Sequence, residues 1–306
     1  MDDITRREFA AAASGCVSTA SLVTAKQLYK NQDTGNDLQP PPERPGISDD
    51  SLTVAYITDG HYKDRGAYSR DYRRFHDRLQ DRLFDIDPDL LLMGGDQICH
   101  PNAGARAAAV EVVDLFDDVA PILAAHGNHD HMTDADWIDA YNHPKNHRTE
   151  VGDIGIITLD TARPDSSQKP VNKEFLRNSL RDYSQKDAVL IMSHYWYNAK
   201  YDDIMTGSGK SEILEEDVSD IIHGQENVVS ILHGHNHGHE SGDVYHISHG
   251  GVSKPYISGR AFGGTRAQDV TEGFWVLQID VEQNLVLADC IGIRFARPIS
   301  WDVFRY

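Results

Sequence analysis

The stretch VVSILHGHNHGHE, residues 228–240, decides how the rest of the sequence is interpreted. VVSIL is typical of a buried strand. After it, a histidine stands at every second position: His233, His235, His237 and His239. On an extended chain all four would point to one face, but Gly234 allows a tight turn. We therefore expect the strand to end near His233 and the alternation to break there.

Four other apolar runs also end in residues that bind metals. Asp59-Gly60-His61 follows residues 52–58, Gly95-Asp96 follows 89–94, Gly127-Asn128-His129-Asp130 follows 121–125, and His194 follows 188–192. One further run, DIGIITLD (153–160), and five amphipathic segments complete the pattern. The amphipathic segments are 72–83, 103–120, 134–141, 173–184 and 210–223. Alternating strands and helices predict a layered α/β domain.

Ligands in open α/β sheets lie beyond the carboxyl ends of the strands. The five ends would gather two Asp, one Asn and four His around one crevice, with His129 among them. This set suits Mn, Fe, Co, Ni or Zn and needs no thiolate. It is too large for one tetrahedral ion but sufficient for two divalent ions, if one carboxylate bridges them.

The ordered motifs D-x-H, GD, GNHD, H and GHxH resemble those of the calcineurin-like metallophosphoesterases. They resemble the members that act on cyclic nucleotides more than protein phosphatases or purple acid phosphatases. The resemblance implies an α/β sandwich of two β-sheets flanked by helices. It also implies a first metal site at Asp59, His61 and His237, a second at Asn128, His194 and His235, and Asp96 as the bridge.

The same resemblance implies hydrolysis of a small phosphodiester or phosphomonoester by a hydroxide between the two ions. His129 would face the leaving group as an acid or a hydrogen-bond donor. Asp130 either contacts His129 or has a structural role, and we favour the structural one. Relatives that act on cyclic nucleotides often carry an Asp at position 99 that orients this histidine. Here the residue is Cys99, so what orients His129 is open.

Three residues are candidates for substrate contact. Tyr195 and Trp196 follow His194 and could stack on a base or sugar, although aromatic residues in such loops more often only cover the core. Arg65, which follows the first motif, could hold a phosphate oxygen, or it could face solvent. Among the remaining histidines, we expect His233 to pack beneath the site and His239 to lie at its rim.

The chain has 306 residues and a formal net charge of −19. This charge argues against nucleic-acid polymers and anionic membrane surfaces as partners. Most of the acid is Asp and lysine is scarce, which favours a halophilic source. The three cysteines, Cys16, Cys99 and Cys290, show no zinc or disulfide pattern, although a Cys99–Cys290 bridge is compatible with the sequence.

The N-terminus predicts export. Arg6 and Arg7 precede an Ala-rich stretch in a layout that resembles a twin-arginine signal, so the export machinery is an expected partner. Cys16 resembles a weak lipobox, and a lipid anchor there ranks level with simple secretion. We therefore divide the chain into a signal peptide (1–25), a polar Pro-rich linker (26–50) and a metallophosphoesterase domain (51–306) outside the cell.

Two other functional classes stay open. A degenerate site on this fold would give a non-catalytic, metal-dependent binding protein, although such proteins usually lose ligands that are all present here. A simple metal or phosphate binder is the third alternative, and it would not need five ordered motifs.

Overall fold

The structure is a computed structural model, and it describes most of the chain beyond the linker. The described residues are 46–48, 50–62, 72–99, 104–163, 168–196, 216–235, 237, 244–261, 273–293 and 298–306. Cys16, Arg65 and His239 lie outside them.

Within these residues the chain forms twelve strands and five helices. The strands are β1 (Leu52–Ile57), β2 (Leu90–Met93), β3 (Ile122–Ala124), β4 (His147–Val151), β5 (Ile154–Leu159), β6 (Ala188–Ser193), β7 (Val228–His233), β8 (Val244–His249), β9 (Val252–Ser258), β10 (Gly273–Asp280), β11 (Leu285–Gly292) and β12 (Pro298–Arg305). The helices are α1 (Tyr72–Ile86), α2 (Ala105–Phe116), α3 (Asp134–Tyr141), α4 (Lys173–Asp182) and α5 (Glu216–His223).

The strands form two six-stranded sheets, in the orders β12-β11-β10-β1-β2-β3 and β4-β5-β6-β7-β9-β8. Strands β1, β2 and β3 are parallel, and so are β5, β6, β7 and β9. Antiparallel strands β10, β11 and β12 extend one side of the first sheet, whose other edge is the parallel strand β3, and antiparallel strands β4 and β8 form the two edges of the second sheet. The predicted two-sheet α/β sandwich is confirmed.

The residues of β1 alternate between two hydrophobic layers. Val54 and Tyr56 belong to the cluster between the sheets, where residues of the second sheet such as Met192 join them. Ala55 and Ile57 belong to the cluster that includes buried residues of α1, α2 and α3. A third cluster joins the second sheet to α4 and α5. Because the central strands are covered on both faces, their sequences are continuous apolar runs.

The chain enters the domain at the edge opposite the predicted ligands. The Ser48 backbone N–H donates to Asp280 Oδ2 at 2.8 Å, and the Gln283 amide donates to the Gly46 carbonyl at 3.0 Å. Asp280 ends β10, which pairs antiparallel with β1 and therefore lies beside the first residues of β1. The six residues of β1 separate the entry point from Asp59 by about 20 Å.

The C-terminal part of the sequence, from residue 243, predicts strands without helices, and its described residues form β8 to β12. Their distribution was not predictable: β8 and β9 extend the second sheet, while β10, β11 and β12 extend the first. No helix among the described residues meets the length and hydrophobicity of a membrane span. Neither Cys99 nor Cys290 is in a disulfide bond.

Candidate metal centre

Two glycines allow the loops that follow the parallel strands to approach each other closely. A Cβ atom at Gly127 would lie 2.1 Å from the backbone nitrogen of Asp96. A Cβ atom at Gly234 would lie 2.2 Å from Thr58 Oγ1 and 2.8 Å from Asp59 Oδ2. Contacts this short exclude any side chain, so the motif glycines bring ligands from different strands together.

The ligand loops also contain unusual backbone conformations. Eight non-glycine residues in the described part of the chain have a positive φ, and five of them are predicted ligands: Asp59, His61, Asp96, His235 and His237, with φ between 44° and 70°. Each such residue costs about 1–3 kcal/mol, and strain of this kind clusters at functional sites. The strained backbone therefore lowers the stability of the folded state while it holds these five side chains in position.

The first group of ligands comes from the loops after β1 and β7. His237 Nε2 lies 3.2 Å from Asp59 Oδ1 and 3.1 Å from His61 Nε2. His61 Nε2 lies 4.0 Å from Asp59 Oδ1. The ligand atoms of these three residues all lie within 4.8 Å of one another. This is the set that the resemblance assigns to the first metal.

The second group comes from the loops after β2, β3, β6 and β7. His194 Nε2 lies 3.2 Å from Asp96 Oδ2 and 3.1 Å from Asn128 Oδ1. His235 Nδ1 approaches the same Asn128 oxygen at 3.1 Å. The ligand atoms of Asp96, His194 and His235 likewise all lie within 4.8 Å of one another. The structure thus brings all seven predicted ligands to one edge of the sandwich, in two groups.

These distances fit two divalent ions. Metal–nitrogen and metal–oxygen bonds of about 2.0–2.2 Å, at angles between tetrahedral and octahedral, hold neighbouring ligand atoms about 2.9–3.4 Å apart. The five closest pairs measure 3.1–3.2 Å. The donor atoms are imidazole nitrogens, carboxylate oxygens and one amide oxygen, a set that suits Mn, Fe, Co, Ni or Zn.

Further hydrogen bonds orient individual ligands. His194 Nδ1 lies 3.0 Å from the Gly94 carbonyl oxygen, to which it donates, and its Nε2 therefore keeps its lone pair toward the site. Asp59 Oδ2 accepts the Thr58 hydroxyl at 2.9 Å and the His235 backbone N–H at 3.0 Å. These bonds leave Asp59 Oδ1 directed at His237.

Two carboxylate–histidine pairs dominate the electrostatics. Burial raises the pKa of Asp59, but the charge and hydrogen bond of His237 bring it down to about 2. Burial lowers the pKa of His194, but Asp96 outweighs this effect and raises it to about 9. Burial lowers the pKa of His61 to about 4. Asp59 likewise raises the pKa of His237, against the effect of burial, so each buried carboxylate favours positive charge on a neighbouring imidazole, and bound cations would take over this role.

His129 lies beside the two groups rather than within either. Its Nε2 is 4.0 Å from Asp96 Oδ2, its backbone N–H donates to Asp96 Oδ1 at 2.7 Å, and its side chain is 40% exposed. Cys99 Sγ lies 3.5 Å from His129 Nδ1. Cys99 therefore contacts Nδ1 of His129, whereas Nε2 is the nitrogen on the side of Asp96.

Asp130 has a structural position. It is fully buried, and its carboxylate accepts three backbone N–H groups, from Asp96 at 2.9 Å, Gly127 at 2.9 Å and Ile98 at 3.1 Å. It therefore joins the loop after β2 to the loop after β3. No hydrogen bond between Asp130 and the His129 side chain is found within the described residues.

A sixth strand end, after β5, supports the site and was missed from the sequence. Asp160 is buried, accepts a bond from Lys169, and lies 3.0 Å from His126 Nδ1. His126 Nε2 in turn lies 3.0 Å from the Asp130 carbonyl oxygen, in the loop that carries Asn128. The sequence did contain a signal for this residue, because Asp160 follows an apolar run, as the predicted ligands do.

The aromatic candidates are buried. Tyr195 is 5% exposed, with its ring centroid 4.1 Å from that of His235. Trp196 is 6% exposed and packs 4.6 Å from Tyr256 in the core of the second sheet. Burial of Trp196 does not fit stacking on a substrate; the indole fills the core beneath the loop instead. His233 is 1% exposed, and its Nε2 bonds to the Tyr245 hydroxyl.

No protein-family model and no curated protein matches this sequence. Solved structures do match the fold. A dimetal phosphatase from Danio rerio is similar over 83% of this chain and 99% of its own, with a TM-score of 0.58 and 13% identity. A purple acid phosphatase from yellow lupin (Lupinus luteus) seeds matches 83% of this chain and 54% of its own, with a TM-score of 0.55 and 14% identity. This chain therefore has the two-sheet α/β fold found in these metal-dependent phosphatases.

Proposed function

We propose that this protein is a dinuclear-metal phosphoesterase that hydrolyses a small phosphodiester or phosphomonoester. The observation that carries the proposal is the division of seven ligand residues into two groups whose neighbouring atoms lie 3.1–3.2 Å apart. When bound, two divalent ions supply a strongly acidified water and neutralise the charge of phosphate oxygens.

The residues of the chain have separate roles in this proposal. Asp59, His61 and His237 hold the first ion, Asn128, His194 and His235 hold the second, and Asp96 binds both. The position of Asp96 supports its role as a bridge, because His194 of the second group and His61 of the first both lower the pKa of its buried carboxyl, against the effect of burial.

His129 is the proposed catalytic residue. Its half-exposed side chain lies at the mouth of the site, with Nε2 turned to the side of Asp96. From there Nε2–H can donate to the oxygen of the leaving group as the bond to phosphorus breaks. The fold of the Danio rerio dimetal phosphatase and of the lupin purple acid phosphatase supports a phosphatase type of reaction.

The test is turnover of bis-p-nitrophenyl phosphate with added Mn²⁺, together with metal analysis. We expect two ions per chain and activity in the wild type, loss of activity without loss of metal in His129→Ala, and loss of both in Asp96→Asn. Asp118→Asn, at an exposed position of the same chain, is the matched control. A wild-type protein that holds two ions but is inert on diesters and monoesters would favour a non-catalytic binding protein.

We also propose that the protein is exported by the twin-arginine route and acts outside the cell. The Arg6-Arg7 pair before an Ala-rich stretch supports this, and Cys16 offers a site for a lipid anchor. Replacing both arginines by lysine should leave the protein inside the cell, as measured by fractionation. Export that continues in the double-lysine variant would contradict the proposal.

A further inference from the structure

A third cluster of metal-binding side chains lies beside the two groups. The ligand atoms of His61, Cys99 and His129 are all within 4.8 Å of one another. They come from the loops that follow β1, β2 and β3, which also carry Asp59, Asp96 and Asn128. The cluster contains the sulfur ligand that the other groups lack.

We propose that Cys99 and His129, together with His61, form a third metal site that selects soft divalent ions such as Zn²⁺ and Cd²⁺. The site goes beyond the proposed hydrolytic function, since ion binding there does not require catalysis. Thiolate ligands select soft ions, whereas the oxygen and nitrogen ligands of the other two groups accept harder ones.

The geometry between Cys99 and His129 is that of two ligands of one ion. Zn–S and Zn–N bonds of about 2.3 Å and 2.0–2.1 Å, at a tetrahedral angle, place sulfur and nitrogen about 3.6 Å apart. The observed distance between Cys99 Sγ and His129 Nδ1 is 3.5 Å. No side chain has to move for these two atoms to share an ion.

Both ligands are also accessible to an incoming ion. Cys99 is partly exposed, and the His129 side chain is 40% exposed. Because His129 uses Nδ1 toward Cys99, its Nε2 keeps its orientation toward Asp96. Binding requires the thiolate, so the Cys99 thiol proton is released when the ion arrives.

His61 couples the third site to the first group. Its Nε2 lies 3.1 Å from His237 Nε2, and its ring centroid lies 5.0 Å from that of His129 at an interplanar angle of 80°. His61 is a member of both sets of ligands, so a soft ion at Cys99 would compete for this side chain with an ion at the first group. An excess of Zn²⁺ or Cd²⁺ should therefore inhibit the loaded enzyme, and chelation should reverse the inhibition.

The test is a Cd²⁺ titration of the ion-free full-length protein in a Cys16→Ser background, taken here as the wild type, so that Cys99 and Cys290 are its only cysteines. The titration is followed through the near-ultraviolet charge-transfer absorption of the Cd–thiolate bond. We expect the absorption in the wild type and in Cys290→Ala, in which the other described cysteine, buried in β11, is removed. Cys99→Ser should lose the absorption. Metal analysis should still find the Cd²⁺ ions that this variant binds through oxygen and nitrogen ligands, and their presence shows that the variant is folded. Absorption retained in Cys99→Ser, or absent in the wild type, would overturn the proposal.

A second pair of variants tests the role of the imidazole. His129→Ala should lower the affinity for the ion that gives the absorption by at least about tenfold. A loss of this size is expected even when the residue removed is only a hydrogen-bond partner of a metal ligand. His131→Ala removes a neighbouring imidazole and should leave the affinity unchanged. Equal affinity in wild type and His129→Ala would exclude His129 as a ligand and overturn the proposed site.

The optical signal separates this proposal from the proposed function. An inert wild type with a Cys99-dependent absorption would contradict the hydrolytic function alone. An active wild type without the absorption would contradict the third site alone.

Discussion

The carboxylate of Asp130 accepts the backbone N–H of Asp96 at 2.9 Å, and this bond joins two loops that are 34 residues apart along the chain. The same carboxylate oxygen accepts the Gly127 N–H at 2.9 Å. Asp130, at the end of the GNHD motif, thus fixes the loop that carries Asp96 to the loop that carries Asn128.

Replacing Asp130 by Asn should damage both stability and metal binding. An amide offers one acceptor oxygen where the carboxylate has two, and its NH₂ group would face a backbone N–H. We expect a loss of about 1–3 kcal/mol in the free energy of unfolding and fewer ions per chain. Denaturant unfolding and metal analysis measure these effects against the exposed control Asp118→Asn. Equal values in both variants would show that Asp130 does not join the loops.

Removing one ligand should remove one ion. His235→Ala and His237→Ala each take a ligand from a different group, so each should bind one ion fewer than the wild type. His249→Ala is the matched control, because this histidine lies on β8 and pairs with Asp220. His239→Ala should also keep both ions, as the sequence predicts for a rim position. A loss of metal in His239→Ala as large as in His237→Ala would contradict this division.

Metal binding should release protons. The pKa of His194 is raised to about 9 by Asp96, against the effect of burial, so this imidazole is protonated at pH 7 in the ion-free protein. A metal ligand must be deprotonated, and the affinity of the second group should rise about tenfold per pH unit below pH 9 if one proton is displaced. Calorimetry in buffers of different ionisation enthalpy measures the proton count. Binding at pH 7 without proton release would contradict the pairing of His194 with Asp96.

Stability in acid should depend on His143, which lies away from the ligands. Its Nε2 accepts the Ala124 N–H at 3.2 Å, and its Nδ1 lies 2.9 Å from the Pro144 carbonyl oxygen. Burial lowers the pKa of His143 to about 4, below the ordinary histidine value of about 6.5. The unfolded state binds the proton first as pH falls, so stability is lost between about pH 6.5 and pH 4.

The size of this loss is up to about 3 kcal/mol, since one unit of pKa difference corresponds to about 1.4 kcal/mol. Comparison with His143→Leu isolates it from the other histidines. The stability advantage of the wild type over this variant should shrink as pH falls from 7 to 4 in urea unfolding. An advantage that stays constant across this range would contradict the prediction.

Cys99→Asp should increase kcat for esters with poor leaving groups. A carboxylate accepts the His129 Nδ1–H more strongly than sulfur does, and its charge stabilises the imidazolium form, in which Nε2 also carries a proton to donate. Cys99→Asn has the same shape without the charge and should give no increase. The measurement is kcat for aryl and alkyl esters. An unchanged kcat for alkyl esters in Cys99→Asp would refute the idea.

The convergence of the candidate ligands could be predicted from the sequence because one local rule places them all at the same edge. Asp59, Asp96 and His194 each follow an apolar run, and the carboxyl ends of parallel strands meet at one edge. The rule predicts where a residue stands relative to the end of its strand, but it does not predict whether the side chain is buried. The sequence therefore left open whether Trp196 stacks on a substrate or covers the core, and in the structure it packs against Tyr256 in the core.

The supporting contacts could not be predicted, because they depend on loops meeting across the fold. The bonds of Asp130 to backbone groups of another loop leave no periodic trace in the sequence. The same holds for the 3.5 Å contact between Cys99 and His129. Nor could the sheet of each C-terminal strand be assigned, since nothing in the sequences of β9 (VSKPYIS) and β10 (GFWVLQID) indicates that they join different sheets.

The anchoring of Gly46 and Ser48 beside Asp280 sets the direction in which the protein would face when held by its N-terminus. The chain enters at the edge opposite the ligand loops, about one strand length of 20 Å away from them. A molecule attached to a bead or a lipid surface through this end would turn its ligand edge toward the surrounding solution. Immobilisation through the N-terminus should therefore preserve access for substrate, whereas attachment through the loops after β6 or β7 should block it.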